Sequence, residues 1–228
     1  MVVRKIRMLT WPLSALLMAS SLLKSVNMRS FASETLQYME AYMPDWLTPF
    51  YTEAAVAVCS IELLAALLLL NGRFSHIASF VSVLLLTFFV WLTGINLFFP
   101  TVFGSIESCG CFGELIHFSP AASFAKSVVI WGMAAALVAV QTRGRINQDT
   151  WRKTDALHLL VCLLISILPS ACSLLLMSRL GEGMYIAGYM TVCASIICYT
   201  IICMARPQSR KSESIKTMLN NLIKERFL

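Results

Sequence analysis

Charge is what this sequence has least of. Asp, Glu, Lys and Arg make up 13% of its 228 residues, while 58% are hydrophobic. A soluble domain carries about a quarter charged residues, so water is not the main solvent of this chain. Residues 80–99, 156–178 and 183–205 contain no Asp, Glu, Lys or Arg. Other absences narrow the function. No Gly-rich phosphate loop, nucleophile elbow or metalloprotease motif occurs, which argues against P-loop, α/β-hydrolase and zinc-protease chemistry. No thioredoxin-like Cys-x-x-Cys occurs either, so a soluble redox domain would have to be a separate protein. There are no internal repeats and no low-complexity linker.

What is present is a series of long apolar runs, and mean hydropathy is +0.74. A helix needs about 20 mainly apolar residues to cross some 30 Å of hydrocarbon. Six segments qualify: 8–26, 50–70, 80–99, 120–141, 156–178 and 183–205. Unpaired backbone does not cross a bilayer, so each is read as a helix. The net charge of +6 lies in the short segments between the runs. That is a topology signal rather than a nucleic-acid groove, and no nucleic-acid partner is expected.

The basic residues alternate. With a cytoplasmic N-terminus, fourteen fall inside: Arg4, Lys5, Arg7, Arg73, Arg143, Arg145, Arg152, Lys153, Arg206, Arg210, Lys211, Lys216, Lys224 and Arg226. Only Arg29 and Arg179 fall outside, with Lys24 and Lys126 just within the outer ends of the first and fourth spans. This positive-inside pattern predicts six spans with both termini cytoplasmic. The first run also resembles a secretory leader, and it is read as a retained helix. Two stretches read as amphipathic helices on the membrane surface. Met28–Met43 gathers Phe31, Leu36, Met39 and Met43 before Pro44, and Ser214–Leu228 forms a basic tail.

The outer segment Pro100–Ser119 has no Lys or Arg and contains Cys109-Gly110-Cys111-Phe112-Gly113. Two thiols one residue apart, facing an oxidising compartment, suit a redox pair. A disulfide closed within so small a ring is strained and readily reduced, and Gly110 and Gly113 permit the tight turns it needs. A structural cysteine pair remains an alternative. Zinc is a third, with only His117 nearby as a further ligand, and no metal is expected.

Glu62 lies midway along the second span, where a carboxylate needs a partner. Lys24 and Lys126 are the candidate cations, and Asn96 lies at a similar level on the third span. The other six cysteines, Cys59, Cys162, Cys172, Cys193, Cys198 and Cys203, read as small packing residues. Cys59 and Cys172 alone lie where a relay to the loop could start. Gly132 and Ala136 form a small-xxx-small pair that would bring the fourth span close to a neighbour. His76 and His158 read as interfacial.

These residues resemble the MauE family of DoxX-like membrane proteins. The resemblance rests on Ser21-Leu22-Leu23-Lys24, on Phe31, Tyr38 and Pro44, and on Glu62-Leu63-Leu64 followed by Leu70-Asn71-Gly72-Arg73. It rests most on Cys-Gly-Cys-Phe-Gly-Glu at 109–114, then Ser119-Pro120 and Lys126. It covers 13–140 and leaves the last two spans unmatched. It implies an all-α polytopic bundle: a four-helix DoxX-like core in residues 1–141, with two further spans and a basic tail in 142–228. It also implies a bacterial inner-membrane location with the cysteine loop periplasmic. Cys109 and Cys111 would be the exchange pair, with Lys24, Glu62, Lys126 and Asn96 beneath them. The partner would be a periplasmic thioredoxin-like protein, and the process the maturation of a disulfide-rich dehydrogenase in methylamine metabolism. Lys126 stands where the family often has Arg, giving a point contact instead of a fork. The contrasting expectation is a non-enzymatic scaffold or small-ligand binder, in which the same polar set lines a pocket for a quinone, lipid or solute. No bound cofactor is otherwise expected.

Overall fold

The structure is a computed structural model that describes residues 2–71, 74–99, 119–143, 153–179 and 182–205. Among the described residues all the regular elements are helical: α1 (Val2–Val26), α2 (Met28–Tyr42), a 3-10 turn (Asp45–Phe50), α3 (Tyr51–Asn71), α4 (Ser75–Phe98), α5 (Pro120–Arg143), α6 (Lys153–Arg179) and α7 (Glu182–Ala205). Every span expected from the sequence falls on a helix. Five are long and apolar enough to cross a membrane. The sixth expected span is α7, a helix of 24 residues whose apolar stretch among the described residues is Tyr189–Thr200. The cysteine loop and the basic tail lie outside the described residues.

Side-chain distribution shows which solvent the bundle is built for. On α4, Ile77, Phe80, Leu84, Phe88 and Trp91 are exposed, whereas Ser79, Ser82, Thr93 and Asn96 are buried. So large an exposed apolar stripe would be a liability in water; against lipid it is the favourable face. The inward hydroxyls satisfy themselves on their own helix: Ser79 Oγ donates to Ser75 O at 2.7 Å, Ser82 Oγ to Ala78 O at 2.8 Å and Thr93 Oγ1 to Phe89 O at 2.7 Å.

The helix at the centre is α3, which packs against α1, α2, α4, α6 and α7. Its second half is almost wholly buried, from Leu63 to Leu69, and is correspondingly apolar apart from Glu62 at its start. Leu63, Ala66 and Leu67 of α3 share one core with Leu13 and Leu17 of α1, Leu86 and Phe89 of α4, Leu137 of α5, Cys162 of α6 and Ile196 of α7. Between helices in lipid, close packing and hydrogen bonds replace the hydrophobic drive.

Two expectations need correction. The pair Gly132 and Ala136 does not bring α5 against a neighbour: a Cβ at Gly132 would meet nothing within 4 Å, and Ala136 is exposed. The close approach is at Gly94, where a Cβ would meet Phe124 of α5 at 3.3 Å; Phe98 then packs edge-on to Phe124 at 5.6 Å. Second, α2 does not lay its apolar face on lipid. Met28, Phe31 and Ala32 are buried against Ala55 and Cys59 of α3, and Tyr38 and Met39 are buried as well. An amphipathic pattern demands an apolar neighbour, and here the neighbour is protein.

Candidate functional site

Lys24 lies in the last turn of α1, where a cation is favoured by the negative end of the helix dipole. It is 1% exposed, and Glu62 on α3 is 3% exposed. Lys24 Nζ donates to Glu62 Oε2 at 2.7 Å. The ammonium also sits 4.6 Å from the Phe89 ring centroid and 5.4 Å from that of Phe31. A carboxylate and two aromatic faces thus replace its lost water, each desolvated cation–π contact contributing about 2 kcal/mol.

The pair opens on a cavity of about 30 Å³ along the axis of α1, α3, α4 and α5, lined also by Lys126, Ser20, Ser127 and Phe89. Three of the four polar residues expected to act together, Lys24, Glu62 and Lys126, therefore converge. Asn96, buried two turns along α4 from Phe89, belongs to a different group. Its Nδ2 donates to Tyr38 Oη at 3.4 Å, and Tyr42 Oη donates to Asn96 Oδ1 at 3.4 Å and to Phe99 O at 3.3 Å. This seam ties α2 to the end of α4, from which the cysteine loop leaves. Desolvation there pushes the Tyr42 phenol above its ordinary value.

Cys109, Gly110, Cys111, Phe112, Gly113 and His117 lie outside the described residues. The two entertained relays are placed: Cys59 is fully buried, with its carbonyl accepting from Ser21 Oγ at 2.8 Å, and Cys172 is half-buried on α6. His158 is within 3.3 Å of Tyr199 Oη. Among the described residues no three His, Cys, Asp or Glu side chains converge on a metal position.

Sequence reasoning missed Phe89, Ser20 and Ser127, and it singled out Phe31 without placing it beside Lys24. Ser20 carried a readable signal, since it precedes Lys24 by four and so shares its helix face. Phe89 carried none, because Phe is unremarkable in any span.

An inward-polar, outward-apolar helical bundle with a charged pair at its axis defines an integral, multi-pass membrane protein. The chain matches the family described as Methylamine utilisation protein MauE over residues 4–140, and it belongs to that family. The match takes in α1 to α4 and nearly all of α5, and leaves α6 and α7 beyond it. No curated protein and no solved structure matches the chain.

Proposed function

We propose that the protein assists thiol–disulfide exchange for exported proteins through Cys109 and Cys111, from a bacterial inner membrane with that loop periplasmic. One observation supports the reading: Lys24 of α1, Glu62 of α3 and Lys126 of α5 line one cavity, and the segment that joins α4 to α5 bears the two thiols. Lys126 lies seven residues after Ser119, the point where α5 follows that segment. A cation near a thiol favours the thiolate, the attacking form.

The chemistry closes without a further reagent. One thiolate of the pair attacks a disulfide of a thioredoxin-like partner, forming a mixed disulfide and expelling the partner's second sulfur, which takes a proton. The other thiolate then displaces the partner's remaining sulfur. Two electrons pass to the partner, which leaves as a dithiol, and Cys109 and Cys111 are left joined. A reduced client dithiol reverses the sequence and leaves oxidised. In the family's setting of methylamine metabolism, the client is a disulfide-rich dehydrogenase subunit.

The axial cavity argues against the ligand-binding alternative. It is water-sized, about 30 Å³ against the roughly 150 Å³ that admits a benzene ring, which favours exchange over quinone binding. The test is to trap the intermediate. Cys109→Ser and Cys111→Ser are each expressed in cells and resolved on non-reducing gels, with the double variant as control. One single variant should accumulate a mixed disulfide with a periplasmic protein. Absence of any trapped species from both, or labelling of the loop only from the cytoplasmic side, refutes the exchange role.

A further inference from the structure

The helices beyond the family match reach the point where α1 gives way to α2. Asn27 interrupts the helix: its φ of −125° and ψ of 73° are not helical. Its neighbours Ser25 and Met28 are fully buried. Interrupted backbone inside hydrocarbon must find hydrogen-bond partners within the protein. Two early donors of α2 are met locally, Ser30 N by Asn27 Oδ1 at 3.3 Å and Phe31 N by Asn27 O at 3.1 Å. The first donor is met from α6, with Met28 N donating to Ser173 Oγ at 3.4 Å. On the α1 side, Tyr189 Oη of α7 donates to the Leu22 carbonyl and lies 2.7 Å from Ser25 Oγ.

Lys24 stands between Leu22 and Ser25 in that same turn. A lysine stem near a helix end can bend along the helix toward an interface. Its direction here depends on how the last turn of α1 is held. That turn is gripped from outside by Tyr189, and the start of α2 by Ser173. Both grips come from the part of the chain the family match does not cover.

We propose that Tyr189 and Ser173 are positioning residues: α6 and α7 clamp the α1–α2 interruption so that Lys24 Nζ stays on Glu62. This assigns a role to the two additional helices, and it stands independently of thiol exchange because it concerns the ion pair alone.

The coupling between Lys24 and Glu62 tests it. Lys24→Met and Glu62→Leu, separately and together, are compared with the parent by reversible unfolding of the full chain in mixed micelles. The same four proteins are then made with Tyr189→Phe and Ser173→Ala. Hydrogen bonds that merely stabilise the bundle change all four unfolding constants alike and leave the coupling unchanged. A clamp that aims Lys24 reduces the coupling, expressed as a ratio of unfolding constants, by at least about tenfold. Ser173→Thr, which keeps a hydroxyl, should retain it. Should the doubly clamp-deleted proteins not fold, Tyr189→Phe and Ser173→Ala are each run through the cycle alone. An undiminished coupling in the double background, or in both single ones, overturns the proposal.

Discussion

Replacing Lys24 by Met and Glu62 by Leu should cost far more singly than together. Each single change strands a charge that is almost wholly buried, and breaking a buried pair from one side costs about 3–5 kcal/mol. The two losses differ in kind. In Lys24→Met the carboxylate loses its 2.7 Å donor and stays buried without it. In Glu62→Leu the ammonium keeps the Phe89 and Phe31 faces. That retains about 2 kcal/mol of cation–π attraction per ring, so its cost falls at the low end. The double variant substitutes apolar side chains of similar volume and should fall within about 1 kcal/mol of the parent, giving a coupling of at least about 5 kcal/mol. Charge reversal, Lys24→Glu with Glu62→Lys, should recover only part of the loss. It places an anion at the C-terminus of α1, an unfavourable end by about 0.3–1 kcal/mol, and takes the cation off its rings. The assay is reversible unfolding in mixed micelles, followed by far-ultraviolet circular dichroism. If the double variant costs the sum of the singles, the two side chains are not an energetic unit and the site as described fails.

Lys126→Met should slow mixed-disulfide formation at neutral pH by roughly threefold to tenfold, a thiol pKa rise of about one unit or less, and move the rate profile to higher pH; stopped-flow reaction with a small aromatic disulfide reads both. Gly94→Val should cost about 1–3 kcal/mol, because its Cβ meets Phe124 at 3.3 Å and more bulk follows. Gly132→Ala, whose Cβ meets nothing within 4 Å, should not destabilise the bundle and should gain up to about 1 kcal/mol of helix propensity. Tyr42→Phe should lose about 1 kcal/mol through its bonds to Asn96 and Phe99, seen as faster amide exchange in α2. The phenol is raised in the folded state, so its contribution is complete below the ordinary tyrosine value of about 10. It is lost only as pH rises through the higher folded value. Alkaline unfolding of parent and Tyr42→Phe should therefore converge above that point.

The spans were legible in the sequence because hydrocarbon imposes so coarse a filter: few charges over twenty residues. The observed ends differ by several residues where polar side chains hide a turn of helix, as at Ser75 before the expected start at Phe80. The polar set was legible for the same reason, since Glu62, Lys24 and Lys126 stand out against apolar neighbours. Which lysine takes Glu62 was not legible. Spacing along a helix gives depth at 1.5 Å per residue, and both lysines lie near the same depth. The choice is one of azimuth and of what covers the side chain. Asn96 shows the limit again: it turns to Tyr38 and Tyr42 and not to the lysines' cavity. The Gly132-x-x-x-Ala136 pattern misled because small residues permit close approach without requiring it, whereas Gly94 is held against Phe124 by the neighbouring Phe98 contact.

The misplacement of α2 explains why Lys24 is committed to Glu62. A lysine so near the end of a spanning helix would ordinarily extend its stem toward the interface and keep its ammonium wet. Here α2 begins two residues after α1 ends, and its first turns are buried through Met28, Phe31 and Ala32. That helix covers the route out, and Phe31 places its ring beside the ammonium. Buried at 1% exposure, the lysine meets the interior carboxylate and two aromatic faces, so a side chain suited to snorkelling becomes part of the bundle axis. On this argument the ion pair follows from the helix that caps it, and loosening α2 at Tyr38 and Tyr42 should expose Lys24 before it disturbs Glu62.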